Sequence, residues 1–279
     1  MVKRKLWMNT FIYLGVLLIT LFLLFPVYWI LMTSFKTMGE LFTYPPPLIV
    51  GPSLDNYIRL FSGQSSTGGG YLGYLSNSIL ITALSTLFSL LIGGIGAYGL
   101  ARAVFKRKDG LAFWVLSIRM LPPVAAAIPF YLIMQNLGIL DTVWALVIAN
   151  TTFNLPFVVW MMNGFYVDIP REISEAAEVD GCSKLAAFFK IILPLSAPGL
   201  AATGIFCMIF SWNEFLFALI LTGRSAKTMP VAVASIWTDV AGCWGEVAAA
   251  SVVTIMPILI VAMLAQKHMV RGLTFGAIK

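Results

Sequence analysis

Six runs of mostly apolar residues, 19 to 27 long and set apart by more polar stretches, govern what this chain can become. They cover residues 11–32, 74–100, 111–134, 143–165, 198–222 and 247–265. A helix needs about 20 apolar residues to cross the hydrocarbon core of a bilayer. The composition agrees: 59% of the 279 residues are hydrophobic and only 11% are charged, whereas a soluble domain carries about a quarter charged residues. The predicted fold class is therefore all-α, a polytopic membrane protein with six transmembrane helices. No internal repeat divides it, and residues 1–279 are expected to form a single transmembrane domain. The basic start, Met1-Val2-Lys3-Arg4-Lys5, resembles the opening of a signal peptide. The apolar run after it is too long for a signal h-region of about 7–15 residues, and no small-x-small cleavage site ends it. It is read as an uncleaved first span.

The cationic residues orient the spans. If Lys3, Arg4 and Lys5 lie inside, the even span number puts both termini on that side. Arg102, Lys106, Arg107, Lys108, Arg171, Lys184, Lys190, Lys267, Arg271 and Lys279 then fall inside too. Only Lys36, Arg59, Arg224 and Lys227 fall outside, and Arg119 lies within a span. This is the asymmetry of the positive-inside rule. It also accounts for the net charge of +6 without any nucleic-acid partner. Cys182, Cys207 and Cys243 fall on the inner side, within a span and on the outer side, so no internal disulfide framework is expected.

Several features inside the spans bear on packing. Ser85, Ser89, Gly93, Ala97 and Ala101 recur every four residues in the second span. Small residues let helix backbones approach closely in lipid, so this stripe faces another helix, in this chain or in a second subunit. The third span holds Pro122, Pro123 and Pro129 and must be kinked or broken, either lining a path or packed against protein. Arg119 and Glu214 are charges at membrane depth, where such groups face the bundle interior or water. Glu214 belongs to Trp212-Asn213-Glu214-Phe215 in span five. Trp212, Asn213 and Glu214, with Asn154 in span four, are candidates for a substrate path, since they offer hydrogen bonds beside aromatic faces. Glu214 alone fits equally a structural ion pair, an interhelical hydrogen bond or a snorkelling carboxylate. The outer loop from Thr33 to about Gly73 contains Pro45-Pro46-Pro47 and a Gly/Ser-rich stretch, read as turns and a flexible tip.

The inner-side segment 166–197 is a polar island. Pro170 suits the first turn of a helix, Glu172 and Glu175 suit its N-terminal end, and Gly181 suits the left-handed position that ends it. Ser183 is an N-cap for a second helix, Lys184 to Ile192, closed by Leu193-Pro194. Phe188, Phe189 and Ile191 can anchor that second helix to the bundle. Taken alone, this helix–turn–helix fits either a docking element for a soluble partner or an amphipathic connector lying on the membrane.

The spacing within it is more telling. Glu175-Ala176-Ala177, three residues, Gly181, nine residues, then Ile191-Ile192-Leu193-Pro194 resembles the EAA loop of permease subunits in binding-protein-dependent ABC importers. Further stretches are similar to the carbohydrate branch, of maltose type. They include Asn77-Ser78, Ala97-Tyr98-Gly99-Leu100-Ala101-Arg102, Leu121-Pro122-Pro123, Leu155-Pro156-Phe157, Trp212-Asn213-Glu214-Phe215 and the tail Gly272-Leu273-Thr274-Phe275-Gly276-Ala277. Val179 and Cys182 stand where the family more often has Ile and Ala. The resemblance implies that Glu175, Ala176, Ala177, Asp180, Gly181, Leu193 and Pro194 couple the chain to an ATPase. It also implies a homologous second permease, two ATP-binding subunits, an extracytoplasmic sugar-binding protein and a carbohydrate substrate, in a bacterial or archaeal cytoplasmic membrane. The loop around Thr228-Met229-Pro230-Val231 and Trp237 would face the binding protein.

The chain contains no G-x-x-x-x-G-K-[ST] sequence, so it lacks the usual phosphate-cradling loop. ATP and magnesium are expected on the partner ATPase and no cofactor in this chain. His268 is read as a solvated or partner-facing histidine. No nucleophile or paired-carboxylate pattern suggests an enzyme. The alternatives are an importer permease for a non-sugar solute, and an ion-coupled secondary carrier, which would call for inverted repeats and a carboxylate cluster at the midplane.

Overall fold

The computed structural model describes residues 6–63, 70–104, 107–236 and 243–274. Among these, every regular element is a helix. In chain order they are α1 (Leu6–Ser34), α2 (Met38–Leu41), α3 (Asp55–Ser62), α4 (Tyr71–Arg102) and α5 (Lys108–Ser117). A 3-10 turn (Ile118–Met120) comes next, then α6 (Pro123–Asn136), α7 (Val143–Val167), α8 (Arg171–Val179) and α9 (Lys184–Ala187). A π turn (Phe188–Ile192) leads to α10 (Leu193–Leu195), α11 (Ala197–Trp212), α12 (Leu216–Leu221), α13 (Met229–Ile236) and α14 (Trp244–Thr274). Four of them, within Phe11–Ser34, Tyr71–Arg102, Val143–Val167 and Trp244–Leu264, are long and apolar enough to cross a membrane singly. Two bent pairs, Gly110–Met120 with Pro123–Asn136 and Lys184–Leu195 with Ala197–Trp212, raise the possible number to six.

The described residues form two compact units: those up to Leu72 with Ala232–Met256, and Gly73–Val231 with those from Pro257 on. In the first unit, the apolar residues 11–27 of α1 are exposed almost all round, as suits a helix facing lipid or another subunit. After α1 the segment 33–63 is more ordered than turns and a tip. Asn56 donates to the carbonyls of Ser34 and Lys36 at 3.0 and 2.8 Å, the Ser34 and Tyr57 hydroxyls meet at 2.8 Å, and Thr37 with Glu40 forms a reciprocal capping box on α2. The bonds of Asn56 and Tyr57 join residues twenty or more positions apart and had no local signal, whereas the Thr37–Glu40 box spans three residues. The tip, residues 64–69, lies outside the described residues.

In the second unit α7 is the central element, buried over much of its length. The small-residue stripe of α4 packs inside this chain. Ser85, Ser89, Ala97 and Ala101 are all buried, and Gly93 lies so close to α7 that a Cβ there would sit 2.7 Å from Val158 Cγ1. Ser85 and Ser89 turn their hydroxyls onto the carbonyls one turn back, each at 2.6 Å, which satisfies them in apolar surroundings. Two apolar clusters flank the middle of α7. One gathers Ile81, Met134, Leu146, Phe217 and Leu221; the other gathers Val158, Met162, Tyr166, Phe188, Ile192 and Cys207.

Span three is broken rather than kinked, with α5 and α6 meeting at 84°. The break falls at Leu121–Pro122: both are extended (ψ near 125°), because the residue before a proline is pushed out of the helical region. Pro123 opens α6, whereas Pro129 sits inside it. Span five is interrupted as well, between α11 and α12 at Asn213–Phe215.

Candidate functional site

The inner-side loop folds as the residue pattern requires up to Gly181. The α8 helix ends in a full left-handed cap: Gly181 has φ +86°, its N–H donates to Glu178 O at 3.1 Å, and Cys182 N–H donates to Ala177 O at 2.9 Å. These are the two bonds of a Schellman motif. Ser183 Oγ then caps α9 by accepting from Ala186 N–H at 3.2 Å.

Beyond this point the helix differs from expectation. Leu193-Pro194 does not close it. The chain widens into the π turn, in which Leu193 N–H donates to Phe188 O, and continues to Leu195 before bending by 80° into α11. A wide turn ahead of a residue without an N–H relieves the carbonyl that proline would otherwise strand. The extra residue in that turn also shifts the buried face. Phe188 and Ile192 become the anchors, with Phe188 4.8 Å from the Tyr98 ring and 6.0 Å from the Tyr166 ring. Phe189 is 46% exposed.

Of the coupling candidates, Glu175, Ala176, Asp180, Gly181 and Pro194 are exposed, Leu193 is half-buried and Ala177 is buried. The exposed face therefore runs along Glu175, Ala176 and Asp180 to Gly181, and Val179, 87% exposed, projects beside it. Arg102 at the end of α4 braces the loop by donating to Ile169 O at 3.1 Å. A cavity of about 520 Å³ lies under the loop, lined by Arg102, Arg171, Glu175, Glu178 and Lys184 among others.

The substrate-path candidates divide. Between the two apolar clusters lies a cavity of about 180 Å³ lined by Arg119, Pro123, Asn150, Phe153, Asn154, Phe210, Ser211, Glu214 and Phe217. Asn154 and Glu214 reach it; Trp212 and Asn213 do not. Trp212 is buried and lines a separate apolar pocket with Thr82, Met208 and Pro257. The Asn213 amide is used at the end of α11, donating to Ile209 O at 2.8 Å. The α11 helix ends at Trp212 and Asn213–Phe215 form the break before α12, so Trp212, Asn213 and Glu214 do not lie along one helix face.

Asn154 donates to Ser211 Oγ at 2.9 Å, and the Ser211 and Ser85 hydroxyls meet at 3.0 Å. Glu214 caps α12: its two oxygens accept from Phe217 N–H at 2.7 Å and Ala218 N–H at 2.9 Å. Arg119 lies in the break of span three, its guanidinium 4.1 Å from the Phe210 ring centroid and 5.0 Å from that of Phe157. One of its terminal nitrogens is buried without a hydrogen-bond partner. The lining thus offers a cation, a carboxylate, amides and aromatic faces. Asn150 was missed by the sequence reading, though its spacing of four from Asn154 in an apolar span was a usable signal.

A further site had no sequence signal. Asp141, between α6 and α7, has φ +54°, and its carboxylate accepts from the N–H groups of Gly223, Arg224, Ser225 and Ala226 at 2.7–3.1 Å. Partial burial pushes its pKa up, but the four backbone donors outweigh that and leave it below the usual aspartate value.

Comparison with known proteins gives this geometry a family. The profile of binding-protein-dependent transport system inner membrane components matches residues 86–275, from the middle of α4 past the loop and the cavity. The chain belongs to this family. It is thus a multi-pass inner-membrane component of a transport system, not an enzyme. It is similar to the trehalose/maltose transport system permease protein MalG of Thermococcus litoralis, 35% identical over 95% of each chain. It is also similar to the sulfoquinovosyl glycerol transport system permease protein SmoH of Agrobacterium fabrum, 36% identical over 92% of this chain and 89% of that one. Among solved structures, one chain of a bacterial ABC transporter involved in the import of the acidic polysaccharide alginate superposes with a TM-score of 0.76. It is 23% identical, covering 96% of this chain and 98% of that chain. That likeness is one of fold.

Proposed function

We propose that this family member is one permease subunit of an ATP-driven importer for a sugar or oligosaccharide. It forms half of the translocation path and couples to an ATPase through α8 and the turn after it. The coupling loop carries the reading: a tightly capped helix–turn–helix with an exposed face that includes Glu175, Ala176, Asp180 and Gly181. The transport of sugars by its relatives, stated in their names, supplies the substrate class. The complex has a homologous second permease, two ATP-binding subunits that hold ATP and magnesium, and an extracytoplasmic sugar-binding protein. The six spans act as one membrane domain with both termini cytoplasmic, the orientation that the Lys and Arg distribution favours.

The chain works by shifting between inward- and outward-facing states. ATP at the ATPase and the binding protein outside each favour one state through differential contacts. Glu175, Ala176, Ala177, Asp180, Gly181, Leu193 and Pro194 form the coupling element, with Ala177 holding it from beneath. Asn154 and Glu214 line the path; Trp212 and Asn213 support the helices that frame it. A cavity of about 180 Å³ is smaller than the roughly 300 Å³ of an ordinary ligand site, as suits half of a site that a second permease completes.

The test is affinity purification of the tagged chain from native membranes in mild detergent, with the co-purifying proteins identified by mass spectrometry. Recovery of an ATPase and a second permease, both lost when Gly181 is replaced by valine, is the expected result. A folded chain recovered alone that still transports in vesicles without ATP would overturn the reading.

A further inference from the structure

The cavity walled by α6, α7, α11 and α12 holds more hydrogen-bonding capacity than the chain itself uses. Arg119, at the break of span three, forms no ion pair among the described residues, and its Nη1 is buried without an acceptor. Its guanidinium is met by the faces of Phe210 and Phe157, at 4.1 and 5.0 Å. Ring faces attract a cation but do not neutralise it. The carboxylate in the lining is committed elsewhere: Glu214 accepts from Phe217 N–H at 2.7 Å and Ala218 N–H at 2.9 Å. Asn150 is also unmatched. It is 5% exposed, lines the cavity, and its amide makes no hydrogen bond among the described residues. Asn154 commits its NH2 to Ser211 Oγ, and its carbonyl oxygen accepts nothing among the described residues.

A buried polar group without a partner is unfavourable, and a charge at membrane depth more so. All the lining residues belong to one compact unit, Gly73–Val231, and its own groups leave these places open. The chemistry of the missing partner follows from the donors and acceptors. A guanidinium only donates, through a planar fork that fits a carboxylate or another oxyanion. Asn150 can both donate and accept, while the Asn154 carbonyl and the remaining lone pairs of Glu214 accept from hydroxyls. Phe153, Phe210 and Phe217 add apolar faces. Glu214 repels an anion, which sets the direction of the ring: oxyanion at Arg119, hydroxyls at Glu214. A neutral sugar would satisfy the amides and leave Arg119 unneutralised. We infer that the cavity takes an acidic sugar, one whose ring carries a carboxylate or sulfate-type oxyanion, and that Arg119 selects it, with Asn150 binding beside it. The inference narrows the substrate class of the importer reading above and rests on that reading.

The test titrates matched methyl glycosides into the complete transporter in nanodiscs, followed by calorimetry. The probes are glucosides and galactosides that are neutral, oxidised to a carboxylate at the exocyclic carbon, or sulfated there. The binding protein is left out so that its own selectivity does not enter. At least one acidic probe is expected to bind about tenfold or more tightly than its neutral counterpart, the order of a charge-assisted hydrogen bond. Arg119→Gln keeps donors without the charge and should bring that ratio close to one by weakening the acidic probe. Arg119→Lys keeps the charge without the fork and should give an intermediate ratio. Asn150→Ala should weaken both forms. A wild-type transporter that binds acidic and neutral probes alike, only neutral ones, or none overturns the inference. So does Arg119→Gln with the wild-type ratio, or with both forms weakened equally, as for a merely structural cation. Should Arg119→Gln not assemble, the ratios of the wild type and of Arg119→Lys decide. Binding of neutral probes alone leaves the importer reading standing; a chain that assembles with no ATPase overturns that reading and the inference with it.

Discussion

Replacing Gly93 by alanine tests whether the small-residue stripe of α4 sets the distance between helices. The added Cβ would sit 2.7 Å from Val158 Cγ1 and 2.9 Å from Val158 Cβ. Carbon contacts settle at about 3.5–4.0 Å, so the shortfall is about 1 Å. Val158 is fully buried, and a β-branched side chain in a helix has one strongly preferred rotamer. Its Cβ moreover moves only with the backbone of α7. The overlap is relieved by parting α4 from α7, not by a side-chain turn, and overpacking of this kind costs about 1–3 kcal/mol. Alanine also favours the helix over glycine by about 1 kcal/mol, which masks part of that cost. Gly99→Ala on the same helix cancels the masking term, because nothing lies within 4 Å of a Cβ there. The two variants are compared by equilibrium unfolding of the purified chain in mixed micelles. Gly93→Ala is expected to be less stable than Gly99→Ala by about 1–3 kcal/mol. Equal stability would refute the argument that α4 and α7 meet at Gly93.

Three further outcomes are expected at the sites. At Gly181, with φ +86° and open space around it, transport in vesicles should rank glycine above asparagine, asparagine above alanine and alanine above valine; a ranking by side-chain volume alone would show that the left-handed cap is not what matters. Glu214→Gln leaves one carbonyl oxygen where two oxygens now accept from Phe217 and Ala218. It should destabilise the chain by about 1–3 kcal/mol in the same unfolding assay. For Asp141 the pKa is depressed in the folded state, so its contribution is complete above the unfolded value of about 3.9 and fades as pH falls through the lower folded value. Hydrogen exchange at Gly223–Ala226, corrected for intrinsic rates, should lose protection only at that acid end, and Asp141→Asn should lack protection at neutral pH.

What the sequence disclosed was what local chemistry decides. The apolar runs, the basic residues between them, Gly181 as a left-handed cap and Ser183 as an N-cap all depend on residues within one or two turns. The inner-side loop was therefore legible as far as Ser183, and not in the helix after it. The break in span three was legible as a proline effect, but its angle of 84° depends on what packs around Leu121–Pro122. The π turn was not legible, because Phe188 and Ile192 take the buried face only in the presence of Tyr98 and Tyr166. Asp141 was invisible for the same reason: its partners lie more than eighty residues away. The cavity was half legible. Asn154 and Glu214 stood out as polar groups in apolar spans, whereas grouping Trp212 and Asn213 with them did not foresee that α11 ends at Trp212.

The placement of α11 ties the two proposed sites together. It starts at Ala197, directly after the 80° bend that ends the coupling loop, and ends at Trp212, one residue past the cavity-lining Ser211. Sixteen helical residues make a rod of about 24 Å. Its sides are tightly seated: a Cβ at Gly199 would strike the Phe165 ring at 2.5–2.8 Å, and one at Gly204 would lie 3.1 Å from Leu90 Cδ1. One end lies at the 80° bend before Ala197 and the other at the break Asn213–Phe215. In the coupling proposed above, a displacement of Phe188–Leu195 is carried along the rod to Ser211, whose hydroxyl meets both Asn154 of α7 and Ser85 of α4. Glu214, just beyond the break, caps α12 through Phe217 and Ala218. On this geometry the polar groups of span five have separate roles. In the proposed coupling, Ser211 on α11 is the group that the loop reaches, whereas Glu214, bonded to the N–H groups of Phe217 and Ala218, belongs with α12.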